Sequence, residues 1–181
     1  MEHDHPSGGA DGISPVFKFA LKFGALMLLF YALTVTPLCE RVLWPANLQA
    51  NAWVSNVVLR GLRQPTRLTG VTIQSERFSF VIKRGCDATE PVWLLASAVL
   101  AFPAPFRRKL VGILAGTLLL LGINQLRVVC LFFVGRDLPR FYEPLHLTVF
   151  PAVFLLLALV LWVGWVQWAV GREVFKPNAK L

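Results

Sequence analysis

Residues 110–134 have the sequence LVGILAGTLLLLGINQLRVVCLFFV, a run of 25 residues in which Arg127 is the one fully charged side chain. At about 1.5 Å of rise per residue, a helix of this length crosses the roughly 30 Å hydrocarbon core of a bilayer. An arginine inside such a helix costs on the order of 3 kcal/mol, so it is retained where it faces a partner or a wet cavity. Asn124 lies three positions earlier, on the same helical face. We therefore predict that Asn124 and Arg127 form a polar stripe that points into the protein.

The composition of the whole chain is that of an integral membrane protein. Of its 181 residues, 56% are hydrophobic, and the mean hydropathy is +0.61, which is more than a soluble domain of this size needs for its core. The net charge of +8 would suggest a nucleic-acid partner in a soluble chain. Here the basic residues flank apolar runs, where they anchor to lipid headgroups. We therefore expect no nucleic-acid partner.

The apolar runs predict an all-α integral membrane protein with about four transmembrane helices. The predicted spans are residues 16–36, 88–104, 110–134 and 147–170. The second span is short, so we expect its ends to reach into the interface. The last three spans form the predicted catalytic core, residues 88–170.

Polar segments flank and separate these spans. Residues 1–15 predict a disordered tail, and residues 171–181 predict a cytoplasmic tail. Residues 37–87 predict an extracytoplasmic, interfacial segment. Within it, Ala46 to Leu62 mixes apolar side chains with Asn and Gln, as an amphipathic helix lying on the membrane does. After Pro65, two short runs rich in β-branched and aromatic residues predict a small β-hairpin.

An even number of spans places both termini on the same side of the membrane. That side, with the basic turn at 107–109, carries eight Lys and Arg residues, whereas the other side carries nine, so the counts alone do not set the orientation. We predict that the termini are inside, because the basic outer segment at 37–87 is long and partly folded onto the surface.

Three side chains are expected to meet at one membrane face, whichever way the chain is oriented. Cys86 precedes the second span, His146 opens the fourth, and Arg127 lies about 17 residues into the third, near the same face. Nearby positive charge lowers the pKa of a thiol, so the sequence predicts that Cys86 is held as a thiolate. In acyl transfer, this thiolate attacks a peptide carbonyl and His146 protonates the leaving amine. Arg127 then stabilises the thiolate or the developing oxyanion.

Each of these residues also has a purely structural interpretation. An isolated cysteine in a membrane protein is usually a small apolar filler, and Cys130, inside the third span, is expected to pack. His146 can simply start a helix at the interface. Two further residues have supporting roles. Asn124 can orient one of the catalytic groups. Glu90 is either a favourable charge at a helix N-terminus or a salt-bridge partner of Arg127.

Cys39 lies on the same side as Cys86 and offers a different chemistry. A disulfide between Cys39 and Cys86 can form outside the cytoplasm, and it would remove the free thiol that Cys86 needs as a nucleophile. A four-helix membrane thiol oxidoreductase that uses Cys39 and Cys86 is therefore one alternative, although the chain has no CxxC motif. A non-enzymatic membrane scaffold is another. The cysteines lack the spacing of a zinc site, so we expect no metal, and we expect no cofactor.

The order of these residues resembles the exosortase/archaeosortase family, which are membrane-embedded cysteine transpeptidases. The resemblance covers about residues 70–170 and implies that Cys86 is the nucleophile, with Arg127 and His146 completing the catalytic set. It consists of Gly-Cys-Asp at 85–87, Ala-Phe-Pro-Ala-Pro with a basic turn at 101–109, Asn-x-x-Arg at 124–127, and a His at 146 that opens the last span.

The resemblance also implies a substrate and a location. The family cleaves C-terminal sorting signals, as in PEP-CTERM proteins, and passes the acyl group to an acceptor. Such a signal consists of a short motif, a transmembrane helix and a basic tail. The implied partners are the sorting-signal helix of a secreted protein and membrane lipids, which are candidate acyl acceptors. The implied location is the bacterial cytoplasmic (inner) membrane, with the active site on the extracytoplasmic side. This chain has Cys86-Asp87-Ala88 where the family commonly has Cys-Ser/Thr-Gly, which predicts a compact variant with its own sorting motif.

Overall fold

The computed structural model describes the backbone of residues 14–174 and the side chains of residues 14–171. The tails predicted at 1–15 and 171–181 therefore lie largely outside the described residues. The described chain is mostly helical, with one small sheet. Its helices are α1 (Pro15–Thr34), α2 (Trp44–Gly61), α3 (Thr89–Ala101), α4 (Phe106–Asp137), α5 (Pro139–Pro144) and α6 (Phe150–Val174).

Three helical segments are long and apolar enough to span a membrane: Pro15–Thr34, Phe106–Asp137 and Pro139–Gly171. The predicted class, a helical membrane protein, is therefore confirmed in this coarse form. The predicted count of four spans is not confirmed, because α3 has only 13 residues. At about 1.5 Å per residue this is roughly 20 Å, less than the thickness of the hydrocarbon core. The helix ends at Ala101 because two prolines follow closely, and the residue before a proline is kept out of the helical conformation.

The short helix α3 lies at the centre of the bundle. It packs against α1, α4 and α6, and its Leu95 belongs to the same buried cluster as Leu120 of α4 and Phe154 of α6. The helix α4 comes close because Gly116 has no side chain; a Cβ there would lie 2.3 Å from Cδ2 of Leu95. The longer helices therefore surround α3 and the loop that leads into it, which contains Cys86.

The segment between α2 and α3 forms a three-stranded antiparallel sheet instead of a two-stranded hairpin. Gly70, at φ 61°, occupies the tight turn between the first two strands, where a left-handed conformation favours glycine. Ile73 is fully buried and belongs to the same cluster as Leu59 of α2 and Phe132 of α4, which anchors the sheet to the bundle. In the order of their pairing, the strands are β1 (Arg67–Thr69), β2 (Thr72–Gln74) and β3 (Ser79–Val81).

The helix α2 is the predicted amphipathic helix, but its polar face is buried. Asn51, Ser55 and Asn56 are buried, whereas Trp53 is 62% exposed and Val57 is also exposed. An amphipathic helix on a membrane surface normally turns its polar face to water. Here the polar face packs against α4 instead, because hydrogen-bonding side chains on that helix receive it, as described below.

A π-helical turn, Leu145–Val149, connects α5 to α6. Pro151 follows it, and a proline has no N–H and clashes with the carbonyl four residues earlier. A π turn is wider than an α turn and accommodates this conflict. Within it, the N–H of Phe150 bonds to the carbonyl of Leu145, five residues back instead of four. His146 is the second residue of this turn, so the irregular backbone coincides with a predicted site residue.

Candidate active site

Cys86 lies in the loop that leads into α3, and it is 8% exposed. Its N–H donates to the carbonyl of Lys83 at 3.0 Å. The loop turns through two residues with left-handed backbone conformations, Gly85 at φ 86° and Ala88 at φ 59°. This conformation costs a residue other than glycine about 1–2 kcal/mol. Strain of this kind is kept where surrounding contacts hold it, and it is concentrated at functional sites.

The thiol of Cys86 faces the imidazole of His146. Its Sγ lies 3.6 Å from Nε2 and 3.9 Å from Nδ1. The two residues are 60 positions apart in the sequence, so they come into contact only in the tertiary fold. The imidazole also stacks on Tyr142, with ring centroids 5.6 Å apart and an interplanar angle of 18°. A thiol and an imidazole at this separation can exchange a proton, which a cysteine nucleophile requires.

Arg127, which is 5% exposed, connects the two sides of the site. Its Nη1 donates to the carbonyl of Gly85 at 3.0 Å, and its Nη2 donates to the carbonyl of His146 at 3.4 Å. The His146 carbonyl is available because the N–H of Phe150 bonds further back in the π turn. The next residue, Pro151, has no N–H to offer. A planar guanidinium can bind both carbonyls at once, so Arg127 fixes the cysteine loop relative to the histidine.

Asn124 is fully buried and holds the cysteine loop from a second direction. Its Nδ2 donates to the carbonyl of Cys86 at 2.8 Å and to Oδ1 of Asn51 at 3.3 Å. The same Oδ1 accepts from Nε2 of Gln125 at 2.9 Å, and Oε1 of Gln125 accepts from Ser55 at 2.7 Å. A continuous network therefore runs from the polar face of α2 through α4 to the backbone of Cys86.

Asp87 is 1% exposed and ties the loop to α2. Its Oδ2 accepts from Nδ2 of Asn47 at 2.9 Å and from Oγ1 of Thr89 at 2.6 Å. Asn47, Asn51 and Ser55 were not among the predicted site residues. Their spacing of four places them on one stripe of α2, and this spacing is the sequence signal that could have identified them.

Burial has a larger effect than nearby charge on the pKa of Cys86. It raises the pKa of the Cys86 thiol above its ordinary value, and the positive charge of Arg127 opposes this rise without cancelling it. This direction is opposite to the one predicted from the sequence, because the loss of hydration outweighs the nearby cation. His146 is the group in contact with the thiol that can accept its proton.

The rate of alkylation of Cys86 by iodoacetamide should reflect this raised pKa. In a Cys39→Ala/Cys130→Ala background, we expect the rate to rise with pH and to reach its midpoint above the ordinary thiol value of about 8.5. The sign follows from burial, which disfavours the reactive thiolate. Arg127→Gln removes the opposing charge and should move the midpoint higher still. The rates are measured by intact-protein mass spectrometry. A midpoint below pH 8.5 in the Cys39→Ala/Cys130→Ala protein that retains Arg127 would contradict the expectation.

The other predicted residues, Glu90, Cys130 and Cys39, lie outside the contact between Cys86 and His146. Glu90 is exposed in the first turn of α3, and the described ion pairs do not include one between Glu90 and Arg127, so the salt-bridge interpretation is wrong. Cys130 is exposed and not packed, because it falls outside the buried stripe of α4. All three cysteines of the chain belong to the described residues and are free thiols. The bridge between Cys39 and Cys86 that a thiol oxidoreductase needs is therefore not formed in this structure.

A scan against protein-family models, a search of curated proteins and a search of solved structures each give no match. Within residues 14–171, no group of three or more His, Cys, Asp or Glu side chains is placed to hold a metal ion. The function is therefore inferred from the chemistry of the site itself: a buried thiol beside an imidazole, with both backbone segments held by one guanidinium.

Proposed function

We propose that this chain is a membrane-embedded cysteine peptidase or transpeptidase. The observation that carries the proposal is the 3.6 Å approach of Cys86 Sγ to His146 Nε2 inside a helical bundle. A cysteine that only fills apolar space needs no imidazole beside it. A cysteine nucleophile needs a base, because its thiolate and not its thiol attacks a carbonyl.

The proposed reaction proceeds through a thioester. His146 accepts the proton of Cys86 while the sulfur attacks the carbonyl carbon of the scissile peptide bond. The C–S bond forms, the C–N bond breaks, and the imidazolium gives its proton to the leaving amine. An acceptor amine or a water molecule then loses a proton to His146 and attacks the thioester carbonyl. The C–S bond breaks, and the proton returns to the sulfur.

Arg127 and Asn124 have a positioning role in this proposal. Both donate to backbone carbonyls next to the reacting side chains, at Gly85 and His146 for Arg127 and at Cys86 for Asn124. A misplacement of about 1 Å at a reacting centre can reduce a rate by 10²-fold. The charge of Arg127 also favours the thiolate as it forms, since charges interact strongly in a site that excludes water.

The resemblance to the exosortase/archaeosortase family supports a substrate class. At position 88, where that family commonly has glycine, the backbone is left-handed, at φ 59°. Glycine adopts this conformation without strain, so the backbone here is the one that the family's glycine permits. The proposed substrate is a secreted protein with a C-terminal sorting signal of the PEP-CTERM type, whose apolar helix lies beside the helices of the enzyme. The proposed site faces the extracytoplasmic side of the bacterial inner membrane.

A trapping experiment tests the proposal. The full chain is co-expressed with a reporter fused to the C-terminal segment of a secreted protein of the same genome, one that ends in a short motif, an apolar helix and arginines. We expect a covalent adduct on Cys86 that hydroxylamine releases, as it does a thioester. His146→Ala should still co-purify with the reporter, while its turnover falls by about 10²- to 10⁴-fold because the general base is lost. Equal losses of capture and turnover would contradict a base role for His146, and processing without any adduct would contradict the thioester.

A further inference from the structure

A cavity of about 270 Å³ lies beside the candidate active site and does not include Cys86. Its walls come from the loop and first turn of α3, from Arg127 on α4, and from apolar side chains of α1 and α6. Two lining residues carry buried atoms without a hydrogen-bond partner in the described part of the chain, Nε of Arg127 and Oδ1 of Asp87. Leaving such an atom unpaired costs about 1–3 kcal/mol. Arg127 and Asp87 therefore place buried charges of opposite sign in the wall of a cavity that can take a polar ligand.

An apolar groove of about 380 Å³ adjoins this cavity. Leu94 of α3 and Leu155 of α6 line both spaces. The groove then follows α1 and α6, where Phe19 and Trp162 line it with their rings in contact, and Ala98 of α3 also lies in its wall. A helix is about 10 Å wide with its side chains, which is much wider than the single hydrocarbon chain that could occupy the groove. A single hydrocarbon chain is slender enough to fit it.

The charges around the polar cavity are of both signs. Arg127 and Asp87 are buried in its wall, and Glu90 lies exposed at its edge. The N-terminus of α3, a helix of 13 residues, contributes a partial positive charge that favours an anion. The two carboxylates would repel a headgroup that is only anionic. A zwitterion satisfies both signs, and a primary ammonium has N–H groups that can donate to the exposed carboxylate of Glu90.

We propose that the cavity and the groove together bind one phospholipid with an ethanolamine headgroup. The phosphate lies toward Arg127 and the N-terminus of α3, the ammonium lies toward Asp87 and Glu90, and one acyl chain lies in the groove beside Ala98. A choline headgroup fits less well, because its quaternary ammonium has no N–H to donate. This binding does not require the proposed acyl transfer, since Cys86 does not line either space.

Native mass spectrometry of the full chain tests the lipid site. The protein is released from nanodiscs that contain equal amounts of dioleoyl phosphatidylethanolamine and dioleoyl phosphatidylglycerol. We expect one retained phosphatidylethanolamine, and we expect Ala98→Phe, which fills the groove, to lower its retention by about tenfold or more. Ala32→Phe, on the exposed surface of α1 outside the groove, is the matched control and should retain the lipid. Glu90→Gln should reduce the preference for phosphatidylethanolamine over phosphatidylglycerol.

The outcomes separate this proposal from the proposed enzyme activity. Cys86→Ala should retain the lipid, so a failure of the peptidase proposal leaves this measurement intact. Equal retention by wild type and Ala98→Phe, or equal retention of the two lipids by wild type, would overturn the lipid site. A polypeptide retained in place of the lipid would assign the groove to the sorting signal and overturn it as well. If Ala98→Phe does not fold, Ala98→Leu adds less volume and should show the same loss in part.

Discussion

Cys86→Ala should abolish processing of the sorting-signal reporter, with a loss on the order of 10⁴-fold or more. The proposed thioester requires this sulfur, and alanine offers no atom that can replace it. Alanine is also small and apolar, so it is compatible with the buried cluster that includes Cys86, Ile73 and Val128. The readout is the cleaved fraction of the reporter at equal enzyme levels, followed by immunoblot and by intact mass of the product.

Two cysteines of the same chain provide the controls. Cys39→Ala and Cys130→Ala remove thiols outside the contact with His146, and each should process the reporter within about twofold of wild type. Cys86→Ser keeps the shape of the side chain but has a far less acidic hydroxyl, so it should fail as Cys86→Ala does. Substantial processing by either Cys86 variant would rule out a cysteine nucleophile at this position.

The orientation of the polar stripe of Asn124 and Arg127 on α4 could be predicted from the sequence alone. An arginine in an apolar helix is too costly to face lipid, so its position in the sequence implies that it faces inward. Arg127 and Asn124 are 5% and 0% exposed, which confirms this prediction. The existence of α1 was also predictable, with a predicted range of 16–36 and an observed range of Pro15–Thr34, because long apolar runs are a strong local signal.

The surroundings of α2 could not be predicted in the same way. Periodicity shows which residues share a helical face, but it does not show what that face contacts. The stripe that includes Asn51 and Ser55 is equally compatible with water and with protein. Its partner, Gln125, lies 70 or more positions away in the sequence and meets it only in the fold.

Neither the length of α3 nor the direction of the Cys86 pKa shift follows from hydropathy or nearby charge alone. Hydropathy reports how apolar a segment is, whereas the length of α3 depends on where Pro103 and Pro105 prevent helix formation. The pKa of Cys86 depends on how much water the tertiary fold removes from the thiol, and the sequence shows only the charges nearby. In the first case nearby prolines end the apolar helix, and in the second the burial imposed by the tertiary fold outweighs the nearby charge.

Arg127→Lys tests whether the connection between the two halves of the site matters beyond its charge. Lysine keeps the positive charge, but an ammonium is a compact group and cannot span the carbonyls of Gly85 and His146 as a planar guanidinium does. The carbonyl of His146 then loses its donor, because the π turn and Pro151 leave it without one in its own helix. An unpaired buried carbonyl costs about 1–3 kcal/mol, so we expect reporter processing to fall by about 10- to 100-fold.

Two further variants separate alignment from electrostatics. Arg136→Lys makes the same substitution near the end of α4, where the guanidinium bonds to Asp137, and it should leave processing within about twofold of wild type. Arg127→Gln removes the charge as well, so it should raise the pH midpoint of Cys86 alkylation, which Arg127→Lys should leave nearly unchanged. Full processing by Arg127→Lys would show that the charge suffices and that the two carbonyl contacts do not align the site. A large loss together with an unshifted midpoint would show that the guanidinium acts by holding the cysteine loop and the histidine in place.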